Sequence, residues 1–294
     1  MSVLITLPTS LSAEVFHAAR ALVHECNQAE DLDLPIIPAV DPDSTVLLAH
    51  HGDKLVGIAQ IDFGPQAEAC LCVSPAWRRR GIGRGLAMAV NAHVASRGAG
   101  DAVFVSDMAA ESGRAFADAL GVHLSLAEHR LSLDITAVPP PPAPMPDLYI
   151  RLADRADTNS LATVLSAAFG DPLPMMQSFV ARRLTHPTNR FIVGLRDQRL
   201  VGTLRLVEDN GWIYITTFGV LPELHGRGVG RHLLLHALGQ MTAKGMCRIR
   251  IDVETTNVSA HGLYKSCGFR HDRTFAYYRL QSMTHSQPGI IASG

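Results

Sequence analysis

The stretch TTFGVLPELHGRGVGRHLL, residues 216–234, decides the fold that this sequence predicts. An apolar run comes first, a proline-marked turn and three glycines follow, and an amphipathic helix is predicted from there. Gly226, Gly228 and Gly230 let the backbone approach a ligand closely, because glycine has no Cβ. The first N–H groups of a helix have no partner within the helix and attract anions. The stretch therefore predicts a cradle for a pyrophosphate, with two arginines adding positive charge.

A second copy of this pattern lies upstream in CVSPAWRRRGIGRGL, residues 72–86, where three consecutive arginines make the positive field stronger. Landmarks in and around the two stretches are spaced by 147 residues: Pro75 and Pro222, Gly81 and Gly228, Gly83 and Gly230, Gly121 and Gly268. Further upstream the offset falls to 145, because residues 55–57 match residues 200–202. The chain therefore contains one fold twice. We expect the two-residue difference to lie in a loop, where insertions are tolerated.

Each copy is predicted to alternate strands with helices. In the first copy, helices are predicted over 13–29, 82–97 and 112–120, and strands over 45–50, 55–63, 67–73, 102–105 and 123–134. In the second copy, strands are predicted over 190–195, 200–207, 212–220 and 247–253, and helices over 159–169, 229–243 and 259–267. Strands interrupted by helices place each copy in the mixed α/β (α+β) class.

A proline-rich segment, residues 138–146, separates the copies. Proline lacks a backbone N–H and favours the extended polyproline form, so the segment is typical of a semi-rigid linker. We therefore divide the chain into an N-terminal domain, a linker, a C-terminal domain and a flexible tail, which span residues 1–137, 138–147, 148–282 and 283–294.

Both glycine stretches match a known motif. V-x-P followed by [RQ]-x-x-G-x-[GA] is the acetyl-CoA pyrophosphate loop of the GCN5-related N-acetyltransferases, and both copies resemble this family. The first copy fills the motif with Val73, Pro75, Arg78, Gly81 and Gly83. The second fills it with Val220, Pro222, Gly228 and Gly230, and has His225 where the family usually has Arg or Gln. The resemblance implies two tandem domains, each with a mixed, mostly antiparallel twisted sheet flanked by helices.

The resemblance also implies that residues in and beside both loops bind acetyl-CoA (coenzyme A). In the C-terminal copy these residues are Phe218, Gly219, Val220, His225, Gly226, Arg227, Gly228, Val229, Gly230, Arg231 and Asn257. In the N-terminal copy they are Val73, Arg78, Arg79, Arg80, Gly81, Ile82, Gly83 and Arg84. Residues 218–220 would line the pantetheine arm, and a backbone N–H near Val220 would hold the negative oxygen of the tetrahedral intermediate.

A second family signature, N-x-x-A-x-x-x-Y-x-x-x-G-F, is matched within residues 251–270 by Asn257, Ala260, Tyr264, Gly268 and Phe269. Asn257 is a suitable N-cap for the helix that carries Tyr264, and Gly268 is a suitable end for it. In the family, this tyrosine protonates the departing thiolate, which is a poor leaving group until it is protonated. The resemblance thus implies Tyr264 as the catalytic acid.

The first copy lacks this acid. Subtracting 147 from 264 and from 257 gives Ala117 and Ala110, and the neighbouring Phe116 has no proton to donate. We therefore expect the C-terminal copy to be catalytic and the N-terminal copy not. The chain resembles the mycothiol synthase family in length, duplication and active half, although that family has a glutamate on its central strand and residues 212–220 have no carboxylate.

The resemblance implies an N-acetyltransferase that moves an acetyl group from acetyl-CoA to a primary amine, for which a small-molecule acceptor is expected. Two alternatives stay open: an acyl-CoA-binding sensor without turnover, and a tandem enzyme with both halves active. Glu254 and Glu208 are candidates for the base, as is a chain of water molecules, and none is assigned. Aminoglycosides, polyamines, an amino-sugar thiol like the mycothiol precursor and protein amines all remain possible acceptors.

Net charge and composition limit the classes of binding partner that we expect. Lys and Arg total 26 against 27 Asp and Glu, so we expect no nucleic acid and no membrane surface as partner. The apolar runs are shorter than a membrane span, and residues 1–10 do not have the pattern of a signal peptide. We expect a cytoplasmic monomer or homodimer.

The spacing of cysteines and histidines in the sequence does not predict a metal site. The five cysteines form no C-x-x-C pair and fit a reducing compartment, and Cys70 and Cys72 alternate in a strand as small buried side chains would. His232 and His236 lie four apart on one helix, but no third ligand is evident. We therefore expect no bound metal.

Overall fold

The computed structural model describes residues 3–38, 43–64, 66–134, 138–140, 143, 145–209, 211–243 and 248–279. These residues form two compact units: the N-terminal unit contains the described residues of Met1–Ser125 and Ala276–Gly294, and the C-terminal unit contains those of Leu126–Phe275. Cys247 and the expected tail, residues 283–294, lie outside the described residues, as does part of the expected linker.

The first half of the chain has the predicted order of elements, with one additional strand at its start. The elements are β1 (Val3–Thr6), α1 (Ala13–Glu30), β2 (Ser44–His51), β3 (Lys54–Phe63), β4 (Ala67–Val73), α2 (Ile82–Ser96), β5 (Val103–Asp107), α3 (Glu111–Leu120) and β6 (Leu124–Asp134). A short 3₁₀ helix, Pro75–Trp77, leads from β4 toward α2.

The second half repeats this order and adds one helix near its start. The elements are β7 (Tyr149–Leu152), α4 (Thr158–Phe169), α5 (Leu173–Leu184), β8 (Asn189–Arg196), β9 (Arg199–Asp209), β10 (Trp212–Val220), α6 (Val229–Ala243), β11 (Arg248–Glu254), α7 (Val258–Ser266) and β12 (Arg270–Arg279). The 3₁₀ helix Pro222–Leu224 stands where Pro75–Trp77 stands in the first half.

The sheet of the N-terminal unit has the strand order β1-β2-β3-β4-β5, with the end of β12 beside β5. Strands β1 to β4 pair with their neighbours in antiparallel orientation, and β4 pairs with β5 in parallel. Neighbouring residues of its strands point into different cores: Leu47 packs on the side of α2, and Leu48 packs on the side of α1. Helices therefore cover both faces of this sheet, which explains why β2 and β3 are nearly continuous apolar runs.

The sheet of the C-terminal unit has the order β12-β6-β11-β10-β9-β8-β7. Here too one parallel pair, β10 with β11, interrupts antiparallel pairings. The sheet thus confirms the expected mixed, mostly antiparallel fold in each unit. Its core includes Leu161 of α4, Leu233 of α6, Ile215 of β10 and Ile251 of β11.

Strand β6 lies with the C-terminal unit, although the sequence repeat groups it with the first copy. It pairs with β11 in an unbroken antiparallel register from Arg248 opposite Asp134 to Glu254 opposite Glu128. The compact units therefore differ from the sequence-based boundaries at residues 137 and 148. The reason is that strand pairing is a long-range contact, which a linear repeat does not record.

None of the helices in the described ranges combines the length and apolar character needed to cross a membrane.

Candidate functional site

The parallel strands β10 and β11 of the C-terminal unit separate from each other. Their pairing covers three residues on each strand and ends at Ile215 and Ile251, yet β10 continues to Val220 and β11 to Glu254. Beyond the last pair, the facing strand edges no longer hydrogen-bond to one another. Such an opening can accept an extended ligand chain that bonds to one strand edge.

A β-bulge in β10 lies at this opening. Thr216 pairs with Arg205 and Gly219 pairs with Thr203, so β10 has one more residue than β9 between these pairs. Thr217 has a φ of 47°, a left-handed conformation that is costly for a β-branched residue. Bulges bend a strand and redirect its side chains.

The bulge distinguishes the two units. The register of β3 with β4 runs without a shift from Gly57 opposite Val73 to Phe63 opposite Ala67. The extra residue in β10 therefore accounts for one of the two residues by which the copies differ. The expectation that this difference lies in a loop was wrong for that residue, because a bulge absorbs an insertion inside a strand.

The glycine loop joins β10 to α6. Gly226 and Gly228 have φ values of 73° and 81°, which glycine adopts readily and other residues rarely. The hydrogen-bond ladder of α6 begins where His232 donates its N–H to the Gly228 carbonyl, at 3.1 Å. The N–H groups of the three preceding residues lie before that ladder, so the helix start has donors for an anion.

His225 makes the same contact as its counterpart in the other unit. Its Nε2 lies 2.9 Å from the Val220 carbonyl oxygen, and Nε of Arg78 donates to the Val73 carbonyl at 3.2 Å. Both bonds tie the loop to the last residue of the strand before it. The departure from Arg or Gln at position 225 therefore preserves this local contact.

Two arginines assigned to the cofactor contact helix ends. Arg231 donates through Nη1 to the Ser266 carbonyl at 3.3 Å, at the end of α7. Arg84 donates to the Ala119 carbonyl at 3.0 Å, at the corresponding end of α3. These guanidinium groups stabilise the last turns of α7 and α3. Arg227 is exposed beside the loop.

Tyr264 lies beside the opening. The ring centroids of Phe218 and Tyr264 are 6.2 Å apart, and a Cβ on Gly230 would lie 3.6 Å from the Phe218 ring. Phe218 of the bulged strand thus contacts both the start of α6 and the tyrosine of α7. On the other side, Tyr264 packs against Phe269 at a centroid distance of 6.0 Å.

The Tyr264 side chain is 6% exposed. Burial, with a smaller contribution from the neighbouring Cys267, raises the pKa of the phenol well above its usual value. No hydrogen-bond partner of its hydroxyl is found in the part of the chain that the structure describes. Asn257 accepts the Ala260 N–H at 3.0 Å, which confirms it as the N-cap of α7.

Three acidic residues occupy different positions around the site. Glu208 is opposite Ile213 at the far end of β10 and pairs with Arg190 at 3.4 Å. Asp252 accepts two hydrogen bonds from the buried Arg130, both of 2.9 Å. Glu254 is exposed at the end of β11, where that strand has separated from β10.

The N-terminal unit has a cavity of about 320 Å³ at the corresponding place. Its walls include Leu71 and Val73 of β4, Phe104 of β5, the start of α2 and Phe116 of α3. The pairing of β4 with β5 covers two residues on each strand, Glu68 opposite Val103 and Ala69 opposite Phe104, and β4 continues to Val73, so these strands also separate. Arg78, Arg79, Gly81, Ile82, Gly83 and Arg84 all line this cavity. Arg80 lies over the Trp77 ring, 4.6 Å from its centroid.

The helix α3 of this unit is capped differently from α7. Its N-cap residue Ala110 has no side-chain cap, and the Ser112 N–H instead donates to the Glu30 carboxylate at 3.0 Å. Phe116 fills the space at Gly83, where a Cβ would lie 3.2 Å from its ring. Ala117 follows Phe116 and has no proton to donate, as the sequence predicted.

His232 contacts two main-chain carbonyls, and His236 contacts a side-chain amide. His232 places Nδ1 3.0 Å from the Gly228 oxygen and Nε2 2.9 Å from the Ala143 oxygen, and His236 lies 2.9 Å from the Gln240 amide. Within the described ranges, no group of three or more His, Cys, Asp or Glu has an arrangement for a metal ion.

Sequence reasoning missed the bulge and the residues that support it. Gly219 lacks a side chain because a Cβ there would lie 2.8 Å from Cβ of Ala168 in α4. The one available signal was the fall of the repeat offset from 147 to 145 between the strand and the loop.

The sequence resembles known acetyltransferases over most of its length. The sequence pattern of the acetyltransferase (GNAT) family matches residues 13–121 and again residues 159–269. The mycothiol acetyltransferase of Clavibacter sepedonicus is 31% identical over 258 residues, which cover 81% of this chain and 82% of that protein. The mycothiol acetyltransferase of Streptomyces avermitilis is 28% identical over 80% of each chain.

Solved structures share the fold along most of the chain. A GCN5-related N-acetyltransferase from Sphaerobacter thermophilus superposes with a TM-score of 0.75 at 17% identity and covers 95% of both chains. A tandem GNAT protein from the clavulanic acid biosynthesis pathway gives a TM-score of 0.72 at 17% identity, covering 95% of this chain and 98% of its own. Both matched segments together span most of the sequence, so the chain belongs to the acetyltransferase (GNAT) family, as an acetyl-CoA-dependent N-acetyltransferase with two tandem copies of the fold.

Proposed function

We propose that the C-terminal copy transfers the acetyl group of acetyl-CoA to the primary amine of a small molecule, with Tyr264 as the general acid. The contact of Phe218 with both Gly230 and Tyr264 is the observation that carries this proposal. It joins the anion-binding helix start to the phenol through one side chain on the separated strand. A ligand with a pyrophosphate at one end and a thioester at the other fits that order.

The reaction we propose breaks one bond and forms one. The neutral amine attacks the thioester carbonyl, and the tetrahedral oxygen is held by a backbone N–H near Val220. The carbon–sulfur bond then breaks, and the thiolate takes the Tyr264 proton. The attacking nitrogen loses a proton to water, and the phenol is reprotonated from solvent.

Glu254 is the carboxylate that we assign to receive the amine proton through water. Both β10 and β11 run in the same direction, so Glu254 lies at the same end of the sheet as Val220. Val220 lies opposite Gly202, and Glu208 is six positions from Gly202 along β9, which at about 3.3 Å per residue is roughly 20 Å. The two hydrogen bonds from Arg130 already engage the charge of Asp252.

The N-terminal copy is proposed to bind coenzyme A without turnover. Its cavity lies between the separated strands and the glycine loop, and seven of the eight residues that we assign to cofactor binding line it. Ala117 stands where the C-terminal copy has its phenol, so the thiolate would have no acid beside it.

We propose an amino-sugar thiol like the mycothiol precursor as the first acceptor to test. The support comes from the relatives named mycothiol acetyltransferase, of which the one from Clavibacter sepedonicus is 31% identical. A cytoplasmic location and a monomeric or homodimeric state stay predictions from the sequence.

An acceptor panel tests the proposal directly. Purified protein with acetyl-CoA is offered the amino-sugar thiol, aminoglycosides, polyamines and a lysine peptide, and mass spectrometry detects the acetylated product. Acetylation of a small amine at a rate that saturates supports the proposal. Tight acetyl-CoA binding without any acetylated product would favour the sensor instead.

A further inference from the structure

A basic cleft of about 830 Å³ lies in the C-terminal unit, between α7 and the strands β6 and β12. We define the basic cleft by its polar side chains, which are His129, His261, Lys265, Arg270, His271 and Thr274. No step of acetyl transfer described above uses any of them.

Three imidazoles meet in this cleft. The His129 ring centroid is 4.8 Å from that of His271 and 5.3 Å from that of His261. The Thr274 hydroxyl lies 2.9 Å from Nδ1 of His129 and 2.9 Å from Nε2 of His271, which holds the two rings in place. The His261 Nε2 lies 3.0 Å from the Glu254 carbonyl oxygen. The rings are thus positioned by the protein itself.

Positive charge in the basic cleft is not balanced by acids in its lining. Among the described residues that line it, Lys265 and Arg270 are cations and none is Asp or Glu. Nearby acids are engaged elsewhere: Asp272 pairs with Arg250 at 3.4 Å, and the Glu254 carboxylate accepts from Thr256 at 3.3 Å. Glu128 precedes His129 on β6, so its side chain points to the opposite face of the sheet.

Burial and the charges of His271 and His261 lower the pKa of His129. An anion in the basic cleft would reverse this, since it favours the charged form of each imidazole. The carbonyl groups at the end of α7 do not oppose an anion strongly, because Tyr264, Lys265 and Ser266 carbonyls already accept hydrogen bonds.

The cleft lies on a different side of α7 from the glycine loop. His261 and Lys265 are four residues apart, so they share one side of the helix. Leu263 lies on the opposite side, where its Cδ2 would be 3.5 Å from a Cβ on Gly230. The basic cleft is therefore separate from the proposed acetyl-CoA site.

We propose that the basic cleft is a binding site for a phosphate group, held by Lys265 and Arg270 and by the imidazoles of His129, His261 and His271. The arrangement favours an anion over a metal ion, because two permanent cations line it and no metal-type cluster is found among the described residues. The phosphate group can belong to free inorganic phosphate or to a phosphate monoester of a small molecule. The site is independent of the acetyl-transfer proposal.

Calorimetric titration with inorganic phosphate tests the site in the full-length protein. We expect saturable binding near neutral pH that the double variant Lys265→Gln/Arg270→Gln weakens about tenfold or more, because the loss of one charge-assisted hydrogen bond alone is worth about this factor. The matched control Lys54→Gln/Arg199→Gln removes two exposed cations elsewhere and should bind phosphate as the wild type does. Both variants change exposed side chains, and an unchanged Tm in chloride shows that they fold.

Two further experiments identify the type of phosphate ligand and test the part of the imidazoles in binding it. Glycerol 3-phosphate binding more tightly than inorganic phosphate identifies a monoester, and equal or weaker binding identifies the free ion. Sulfate, whose charge is constant, should bind more tightly at pH 6 than at pH 8, and His129→Gln should reduce that difference. Chloride at matched ionic strength controls for screening. The inference is overturned if phosphate binds the wild type and the Lys265→Gln/Arg270→Gln protein equally, if neither binds it, or if Zn²⁺ binds the three imidazoles and phosphate does not.

Discussion

Phe218 and Tyr264 face one another across the separated strands, with their ring centroids 6.2 Å apart and an interplanar angle of 35°. Phe218 belongs to the bulged strand β10, whereas Tyr264 belongs to α7, far along the chain. The contact links the strand that precedes the glycine loop to the residue that we assign as acid. Under the proposed function, cofactor binding and protonation of the thiolate therefore depend on one local arrangement.

Changing Tyr264 to Phe tests the acid without removing the ring. The variant keeps the packing against Phe218 and Phe269 but has no proton for the thiolate. We expect kcat to fall about 100-fold or more, in the range of general acid catalysis, with little change in the Kd of acetyl-CoA. Tyr149→Phe, at an exposed tyrosine, is the matched control. Unchanged turnover in Tyr264→Phe would remove the assigned acid.

The pH dependence of kcat tests the environment of the same phenol. Burial holds the pKa of Tyr264 above its usual value, so the phenol keeps its proton as the solution becomes alkaline. Activity should rise with pH as the acceptor amine loses its proton. No decline in activity is expected at pH values under about 10, the ordinary pKa of tyrosine. A fall of kcat between pH 8 and about pH 10, while stability measurements show that the protein stays folded, would contradict a raised pKa of Tyr264.

Deleting Thr217 tests the β-bulge. A one-residue deletion restores the regular register with β9, so Phe218 lies opposite Leu204 while Gly219 and Val220 keep their partners. The bend at the bulge is then lost, which redirects the Phe218 side chain. Phe218 would leave Tyr264, so we expect acetyl transfer to be lost while circular dichroism shows a folded protein. Thr217→Gly is the control, because glycine adopts the φ of 47° freely. It should keep activity and unfold at the same or a higher temperature. Full activity of the deletion would show that the bulge is dispensable.

The sequence was sufficient to predict the strands and helices that local residue patterns determine. The strands over 67–73 and 212–220 and the helix over 229–243 agree with the observed β4, β10 and α6, because apolar periodicity and glycine punctuation are local signals. The position of β6 beside β11 was not predictable in this way, since it depends on contacts between residues distant in the chain. The contact of His225 with the Val220 carbonyl was also not predictable, because the position of His225 in the motif does not indicate it.

Asp157 should control the acid stability of the C-terminal unit. Arg151 donates to its carboxylate at 2.6 and 2.8 Å, and the Asp154 N–H donates at 2.8 Å. The hydrogen bonds from Arg151 outweigh burial and lower the pKa of Asp157. The folded pKa thus lies below the unfolded value, so this stabilisation is present above about pH 4 and is lost as pH falls through the folded pKa.

Asp157→Asn should therefore lower the free energy of unfolding by about 1–3 kcal/mol at pH 7, measured with urea, and by much less near pH 3. Glu208→Gln breaks the more exposed pair with Arg190 and should cost under about 1 kcal/mol at either pH. A penalty for Asp157→Asn that is the same at both pH values would show that the charge of Asp157 is not what stabilises the unit.

The number of acetyl-CoA molecules bound per chain separates the roles of the two copies. Gly81 and Gly228 have nearly equal φ values, 80° and 81°, so a valine at either position strains the loop by a similar amount, about 1–2 kcal/mol. If both copies bind the cofactor, calorimetry gives two sites in the wild type and one in each single variant. Gly228→Val should abolish turnover, whereas Gly81→Val should keep it. If the wild type binds one acetyl-CoA per chain and Gly228→Val binds none, the N-terminal copy does not bind acetyl-CoA. If Gly81→Val loses turnover, catalysis belongs to the N-terminal copy.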